Sequence, residues 1–399
     1  MKYLDIFVNK GELNEEDYIV VEYKLSSKTN LREAAYNLAV GQTIGNPSLR
    51  NEFETPELVR DYCAKIYCED YDSAQGTSTI FFPKRNWNPV EDGIPGLLVQ
   101  IFGGQVDIDV IQSCEIVSLR IPNSHLLAFK GPKFGISGIK DYCSVNQSSP
   151  LFGGIVKPKI GMSPEGHLEI VKRLVDGGCN FIKEDEILSQ QSWCDINKRT
   201  ELVMNYIRDT GSKTFYCVSL QSKSSSILKK LPELVSNYGC NGVHVNFHAG
   251  FGVYQELRDL NLPVIIHYQK SGDRLLSHQT HAFRISEHVL FYLASISGCD
   301  TLHAGMIGGY LNSDEESLKK SIDMLVKNNS VPALSCGMHP GLVEFIINNL
   351  GHSNWMANVG GALMSHPMGT LSGVTAMKQA VTMNYGTEYY EAIKKWGKR

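Results

Sequence analysis

The chain has 399 residues, enough for two or three domains at roughly 150 residues each. Lys plus Arg total 38 against 42 for Asp plus Glu, and the resulting net charge of −4 excludes a protein whose main task is to neutralise a nucleic-acid backbone. With 42% hydrophobic and 20% charged residues the chain is not of the disordered class, and a core of this size needs no disulfide staples.

The opening Met1-Lys2-Tyr3-Leu4-Asp5 puts an acid where a leader needs its apolar stretch, and no apolar run is long enough to span a bilayer. The ten cysteines are scattered with no C-x-x-C pair, which argues against a zinc or redox motif and for free thiols in a reducing, cytoplasmic setting. Tyr18–Tyr23, Thr77–Phe82 and Ile116–Ile121 read as strands, and Leu31–Val40 and Thr55–Lys65 as helices. Their irregular order predicts an α+β domain, ferredoxin-like, over residues 1–137. The segment Phe129–Ser137, with Gly131, Pro132 and Gly135, reads as its linker.

Residues 138–399 have a regular rhythm. Eight short apolar runs alternate with helical patterns: Leu151–Lys157, Asn180–Asp185, Thr214–Leu220, Gly242–Phe247, Val264–Tyr268, Thr301–Gly305, Pro332–Gly337 and Trp355–Gly360. Alternation of this kind predicts parallel βαβ units, and eight of them predict a closed (β/α)8 TIM barrel, an α/β fold. One intervening helix is signalled at both ends. Ser163-Pro164 supplies a cap and a first-turn proline, Leu168, Val171, Leu174 and Val175 make one buried stripe, and Gly177-Gly178 closes it.

In such a barrel the catalytic groups stand at the C-terminal ends of the strands. Here those ends are polar: Lys157-Pro158-Lys159, Lys183-Glu184-Asp185-Glu186, His267, His303, Ser335-Cys336-Gly337 and Gly360-Gly361. Strand alternation turns Lys183 and Asp185 to one side, and the following turn brings Glu186 beside them. Two carboxylates suit Mg²⁺, whereas an ammonium ligates metal only after CO₂ converts it to a carbamate. Three other readings stay open for the tetrapeptide: Lys183 balancing the acids, a Schiff-base lysine, and a solvated charged loop. Lys157 and Lys159 suit proton transfer or phosphate binding, and equally a surface turn. His267 and His303 are each compatible with a satisfied core histidine. Glycines after the last two strands let backbone N–H groups reach an anion, and with lysines across the mouth they favour a phosphorylated substrate.

Gly154-Ile155-Val156-Lys157-Pro158-Lys159-Ile160-Gly161 followed by Gly178-Cys179-Asn180-Phe181-Ile182-Lys183-Glu184-Asp185-Glu186 resembles the large chain of ribulose-bisphosphate carboxylase (RuBisCO). The resemblance continues through Phe129-Lys130-Gly131-Pro132, His303-Ala304-Gly305, Ser335-Cys336-Gly337-Met338-His339 and Gly360-Gly361. It implies an N-terminal α+β domain and a barrel, in a homodimer or an assembly of dimers whose active sites lie between one barrel and the partner's N-terminal domain. It also implies that Lys183 is a carbamylated lysine completing a Mg²⁺ site with Asp185 and Glu186. Lys157 matches the family's proton-transfer lysine, Lys159 the second lysine of that motif, and His267 the strand-five histidine. His303, Ser335, Gly337, Gly360 and Gly361 match substrate- and phosphate-binding positions.

Departures from the family bear on the reaction. Tyr268 follows His267 where the carboxylase has a phosphate-binding arginine, and Tyr310 replaces the loop lysine that stabilises incoming CO₂. Val40-Gly41-Gln42-Thr43-Ile44-Gly45-Asn46-Pro47 stands where the family carries a glutamate and a Thr-Trp phosphate contact, and Gly104-Gln105 is nearest to a lost asparagine. The chain therefore resembles the RuBisCO-like, form IV type that does not fix CO₂. Its 40–47 segment resembles members that decarboxylate or transcarboxylate 3-oxo-isoapionate 4-phosphate. The alternatives are the enolase acting on 2,3-diketo-5-methylthiopentyl-1-phosphate, a related sugar-phosphate isomerase, and an inactive binding or regulatory paralogue. Drift should erode a costly buried charge cluster first, so intact Lys183, Asp185 and Glu186 argue against the last.

Overall fold

The computed structural model describes residues 3, 5–311 and 313–399, so Met1, Lys2 and Leu4 of the opening segment lie outside the described residues. The strands in chain order are β1 (Tyr18–Ser27), β2 (Lys65–Cys68), β3 (Gln75–Pro83), β4 (Ile111–Arg120), β5 (Leu151–Ile155), β6 (Phe181–Lys183) and β7 (Phe215–Ser219), then β8 (Gly242–Asn246), β9 (Ile265–Gln269), β10 (Phe283–Ile285), β11 (Thr301–Gly305), β12 (Val331–Leu334) and β13 (Met356–Val359). They form two units. One comprises Met1–Lys130 with Asp273–Leu293, the other Gly131–Gly272 with Ala294–Arg399.

The first unit is a five-stranded sheet in the order β10-β4-β1-β3-β2. β1 pairs antiparallel with both β3 and β4, and β10 runs parallel to β4. Two of these strands escape sequence reading for different reasons. Lys65–Cys68 follows directly on the helix Pro56–Tyr62, whose apolar pattern it continues. Phe283–Ile285 is three residues long and comes from the connection between two barrel strands, where no periodic signal can develop.

The second unit is the closed eight-stranded barrel, in the order β5-β6-β7-β8-β9-β11-β12-β13 with every pair parallel. The helix after β5 behaves as its residues dictate. It runs Pro164–Asp176, the Ser163 side chain accepts from the Gly166 N–H, and Gly178 takes the left-handed conformation at φ +91°.

The barrel's two ends differ in chemistry. At the N-terminal end the first residues of the strands, among them Leu151, Phe181, Phe215, Ile265, Val331 and Met356, pack into one apolar cluster. Ile136 and Ile139 of the helix Gly135–Tyr142 join that cluster and plug this end. That helix begins inside the segment read as linker. Its start is fixed by Asn329, whose Oδ1 accepts from the Ile136 N–H, and by Asp300, whose Oδ1 accepts from the Lys133 and Phe134 N–H groups. With one end sealed by hydrocarbon, polar side chains collect at the other. Among the described residues no helix is long and apolar enough to cross a membrane.

Candidate active site

β6 ends at Lys183, and the chain then turns. Lys183 and Asp185 face a cavity of about 560 Å³ at the C-terminal end of the barrel, with Glu186 beside them. Glu184, between them, is turned the other way and is completely buried. Arg199 grips it with Nε to Oε1 at 2.6 Å and Nη2 to Oε2 at 3.0 Å. The Tyr216 hydroxyl and the Ser219 N–H donate to the same carboxylate at 2.5 and 2.7 Å. Burial pushes the Glu184 carboxyl up, and the Arg199 guanidinium outweighs it and holds the group below the usual carboxylate range. This bond set anchors the turn from behind and fixes which side chains reach the cavity.

In the cavity Lys157 makes an ion pair with Asp185 Oδ2, and Lys159 stands 3.9 Å from Asp185 Oδ1. Lys183 Nζ lies 3.5 Å from Glu186 Oε2 and donates to the Glu184 carbonyl at 3.3 Å. Burial lowers the Lys183 pKa, the Glu186 and Asp185 carboxylates acting in the opposite sense. Burial raises the Glu186 carboxyl, but the Lys183 ammonium, a backbone N–H and the Ser271 hydroxyl prevail and bring it down to about 2. Among the described residues no three His, Cys, Asp or Glu side chains converge as a metal site. Asp185 and Glu186 would leave a divalent cation with positions to be filled by water or a further anionic ligand. A buried lysine beside two carboxylates fits that need, because the neutral amine that burial favours is the form that reacts with CO₂.

His303 and Ser335 form the opposite wall, with Nε2 and Oγ 2.5 Å apart. Burial, then the Lys270 and Lys183 cations, lower the His303 pKa to about 3, so its ring is neutral near pH 7. Gly337, Gly360 and Gly361 also line the cavity. At Gly337 (φ +108°) a Cβ would sit 2.6 Å from the Tyr310 nitrogen, so only glycine lets the two loops lie together. Tyr310 stands at the lip, mostly exposed.

Not every residue read from the sequence reaches the cavity. His267 lies inside the barrel, fully buried, with Nδ1 2.8 Å from Thr301 Oγ1, and is absent from the cavity lining. Tyr268 points outward, stacked on Phe251 at 6.4 Å and 2°. Gln269, next on the inward side, does line the cavity. Gln42 is engaged within its own unit, donating to the Val99 and Gln100 carbonyls at 2.8 and 2.7 Å and accepting from the Gln105 N–H at 3.2 Å.

Six lining residues escaped the sequence reading: Gln269, Ser271, Asn358, Trp396, Ala362 and Ser365. Gln269 and Ser271 continue the alternation of β9 beyond His267, and the same period-two count back from Gly360 finds Asn358. Gln269 Nε2 donates to Ser271 Oγ at 2.7 Å, and Ser271 donates to Glu186 Oε1 at 3.1 Å. The fourth, Trp396, stacks on His339 with ring centroids 6.3 Å apart. It arrives from the helix Thr387–Trp396, and no local signal marks it.

A profile of the ribulose bisphosphate carboxylase large chain, catalytic domain, matches residues 135–331. The ribulose bisphosphate carboxylase of Archaeoglobus fulgidus is 26% identical over 98% of this chain and 97% of its own length. Over residues 135–331 the chain is similar to the RuBisCO large-chain family. A 2,3-diketo-5-methylthiopentyl-1-phosphate enolase from Microcystis aeruginosa is 27% identical, covering 95% of this chain and all of its own. The fold agrees along the full RuBisCO chain: the octameric carboxylase/oxygenase of Pyrococcus horikoshii superposes with a TM-score of 0.90 at 24% identity, over 99% of this chain and 97% of that one.

Proposed function

We propose that the chain is a Mg²⁺-dependent, RuBisCO-like enzyme that forms an enediolate from a phosphorylated oxo-sugar acid and does not fix CO₂. Decarboxylation of 3-oxo-isoapionate 4-phosphate, or its transcarboxylation and hydrolysis, is the leading reaction. One observation carries this reading. The strand-end cluster of Lys157, Lys183, Asp185 and Glu186 is intact, while the lip of the same cavity carries Tyr310 in place of a CO₂-stabilising lysine.

Lys183 as a carbamate, with Asp185 and Glu186, would hold Mg²⁺, which when bound neutralises charge developing on a substrate oxygen. The remaining work falls to the protein's own groups. As the bond to the substrate carboxylate breaks, its electron pair stays on the α-carbon, and Lys157 returns a proton to that carbon. Neutral His303 and Ser335 bond substrate oxygens, and Lys159 adds a second cation at the mouth. Backbone at Gly337, Gly360 and Gly361 cradles the phosphate. Tyr310 and Trp396 bound the cavity against water. A homodimer belongs to the same reading, because the family's sites draw on a partner's N-terminal domain.

The enolase reading is favoured by the Microcystis relative and uses the same groups. One experiment separates the two. The protein is incubated with candidate phosphates, Mg²⁺ and bicarbonate in D₂O. CO₂ release is the expected result. Deuterium uptake without CO₂ replaces decarboxylation with enolisation, and absence of both refutes the enzymatic reading for those substrates.

A further inference from the structure

His167 is the first buried residue of the helix Pro164–Asp176 and does not line the cavity. Its Nε2 lies 2.9 Å from the Tyr216 hydroxyl, with the ring centroids 6.2 Å apart and the planes at 70°. The same hydroxyl stands 2.5 Å from Glu184 Oε1. A helix, a strand and a turn therefore meet at one phenol behind the cavity.

The direction of the protons along this line follows from counting them. Glu184 is ionised and gripped by Arg199 at both oxygens, so it only accepts. The single Tyr216 proton is spent on Glu184. The phenol oxygen is then the acceptor of its other contact, and His167 donates from Nε2. Burial lowers the His167 pKa to about 4, with the Glu184 carboxylate acting in the opposite sense, so the ring is neutral near pH 7.

A leucine would fill this place without burying a polar ring, so packing alone does not call for an imidazole. What the ring adds is a donor, and a bond donated to the phenol oxygen strengthens the bond that the phenol donates onward. The line also joins two parts of the cavity wall. His167 lies in the first turn of the helix that follows the loop of Lys157 and Lys159. Glu184 lies between Lys183 and Asp185, and its carbonyl accepts from Lys183 Nζ at 3.3 Å.

We propose that His167 is a positioning residue that acts through Tyr216 and Glu184, tying the loop of Lys157 and Lys159 to the turn at 183–186 and holding Lys183, Asp185 and Glu186 in the arrangement that takes up CO₂ and Mg²⁺. This inference rests on the proposed carbamate at Lys183.

The test uses the full chain without substrate. Carbamate is read as the carbon-13 NMR signal gained from labelled bicarbonate, and Mg²⁺ affinity by calorimetry in the same buffer. His167→Leu fills the space without a donor, and is expected to diminish the carbamate signal and weaken Mg²⁺ binding by about tenfold or more. His167→Gln, whose amide N–H can take the place of Nε2, should recover most of both. Tyr216→Phe should match the leucine variant, and His167→Leu should add no further loss to it. A residue that only fills space would shift the melting temperature and leave both readouts at wild-type values, and that result overturns the proposal. A glutamine variant no better than the leucine one, or losses that add in the double variant, also overturns it. In each of these cases the wild-type carbamate stands. If the wild type itself gains no carbamate signal, the reading of Lys183 fails and takes the proposal with it.

Discussion

Replacing Arg199 by methionine tests whether the groove-facing cluster is held from behind. Arg199 is fully buried and makes four bonds: two to Glu184, one to the Cys194 carbonyl at 2.7 Å and one to the Ser189 carbonyl at 2.6 Å. Methionine fills much of the volume, leaves little room for water and supplies none of the donors. Breaking one side of a buried ion pair costs about 3–5 kcal/mol, because the remaining charge stays buried. Each orphaned carbonyl adds up to about 1–3 kcal/mol. Tyr216 and Ser219 keep two bonds to Glu184, so we take the low end and expect a loss of at least about 3 kcal/mol. Urea unfolding at pH 7.5 and pH 5 measures it. In the wild type Glu184 is held below its unfolded value, so its contribution is complete above that value and declines as pH falls through the depressed one. In the variant burial is opposed only by the Tyr216 and Ser219 bonds and the neighbouring His167, and raises the group relative to wild type, so acid relieves the penalty and the gap to wild type narrows. Arg199→Met with Glu184→Gln removes both charges and should recover more than half the loss. A loss below about 1 kcal/mol, or a gap that widens on acidification, refutes the reasoning.

Two further substitutions bear on the proposed metal site. Lys183→Ala should abolish turnover and remove any activation by bicarbonate preincubation, both read in a steady-state assay; full activity in this variant sinks the carbamate assignment. Ser271→Ala removes the hydroxyl that Gln269 directs onto Glu186, and should weaken Mg²⁺ binding in bicarbonate buffer by about 10–100-fold, with unchanged calorimetric affinity as the contrary result.

The barrel was legible because its signal is repeated. Each of eight apolar runs is weak alone, and their spacing makes them jointly specific, so the strand from Phe181 is found although only three residues long. The same logic located Lys157, Lys183, Asp185 and Glu186, since a strand end is visible wherever the apolar run stops. What stayed hidden lacks such a signal. β10 is too short for periodicity and finds its partner, β4, more than 160 residues earlier in the chain. Arg199 lies on a helix and reads as one more surface charge until its bond to Glu184 is seen. Trp396 reaches the cavity only through the packing of the last helix.

Position 268 shows where residue-by-residue comparison needs the structure. The change from arginine to tyrosine suggests a lost phosphate contact, yet Tyr268 packs outward on Phe251 and Tyr254, and this backbone does not present position 268 to the cavity. The inward residue after His267 is Gln269, which spends one bond on Ser271 and thereby on Glu186. The case against a bisphosphate substrate therefore shifts within the barrel from Tyr268 to the lip, where Tyr310 offers a hydroxyl and no cation. Gln269 on one strand and Asn358 on another add neutral amides to the lining of the cavity. Amides pair with hydroxyls and carbonyls at little desolvation cost, whereas a buried dianion without a counter-charge is strongly disfavoured. On the proposed reading, with the phosphate at the glycine end, the amides would face the neutral part of the substrate chain.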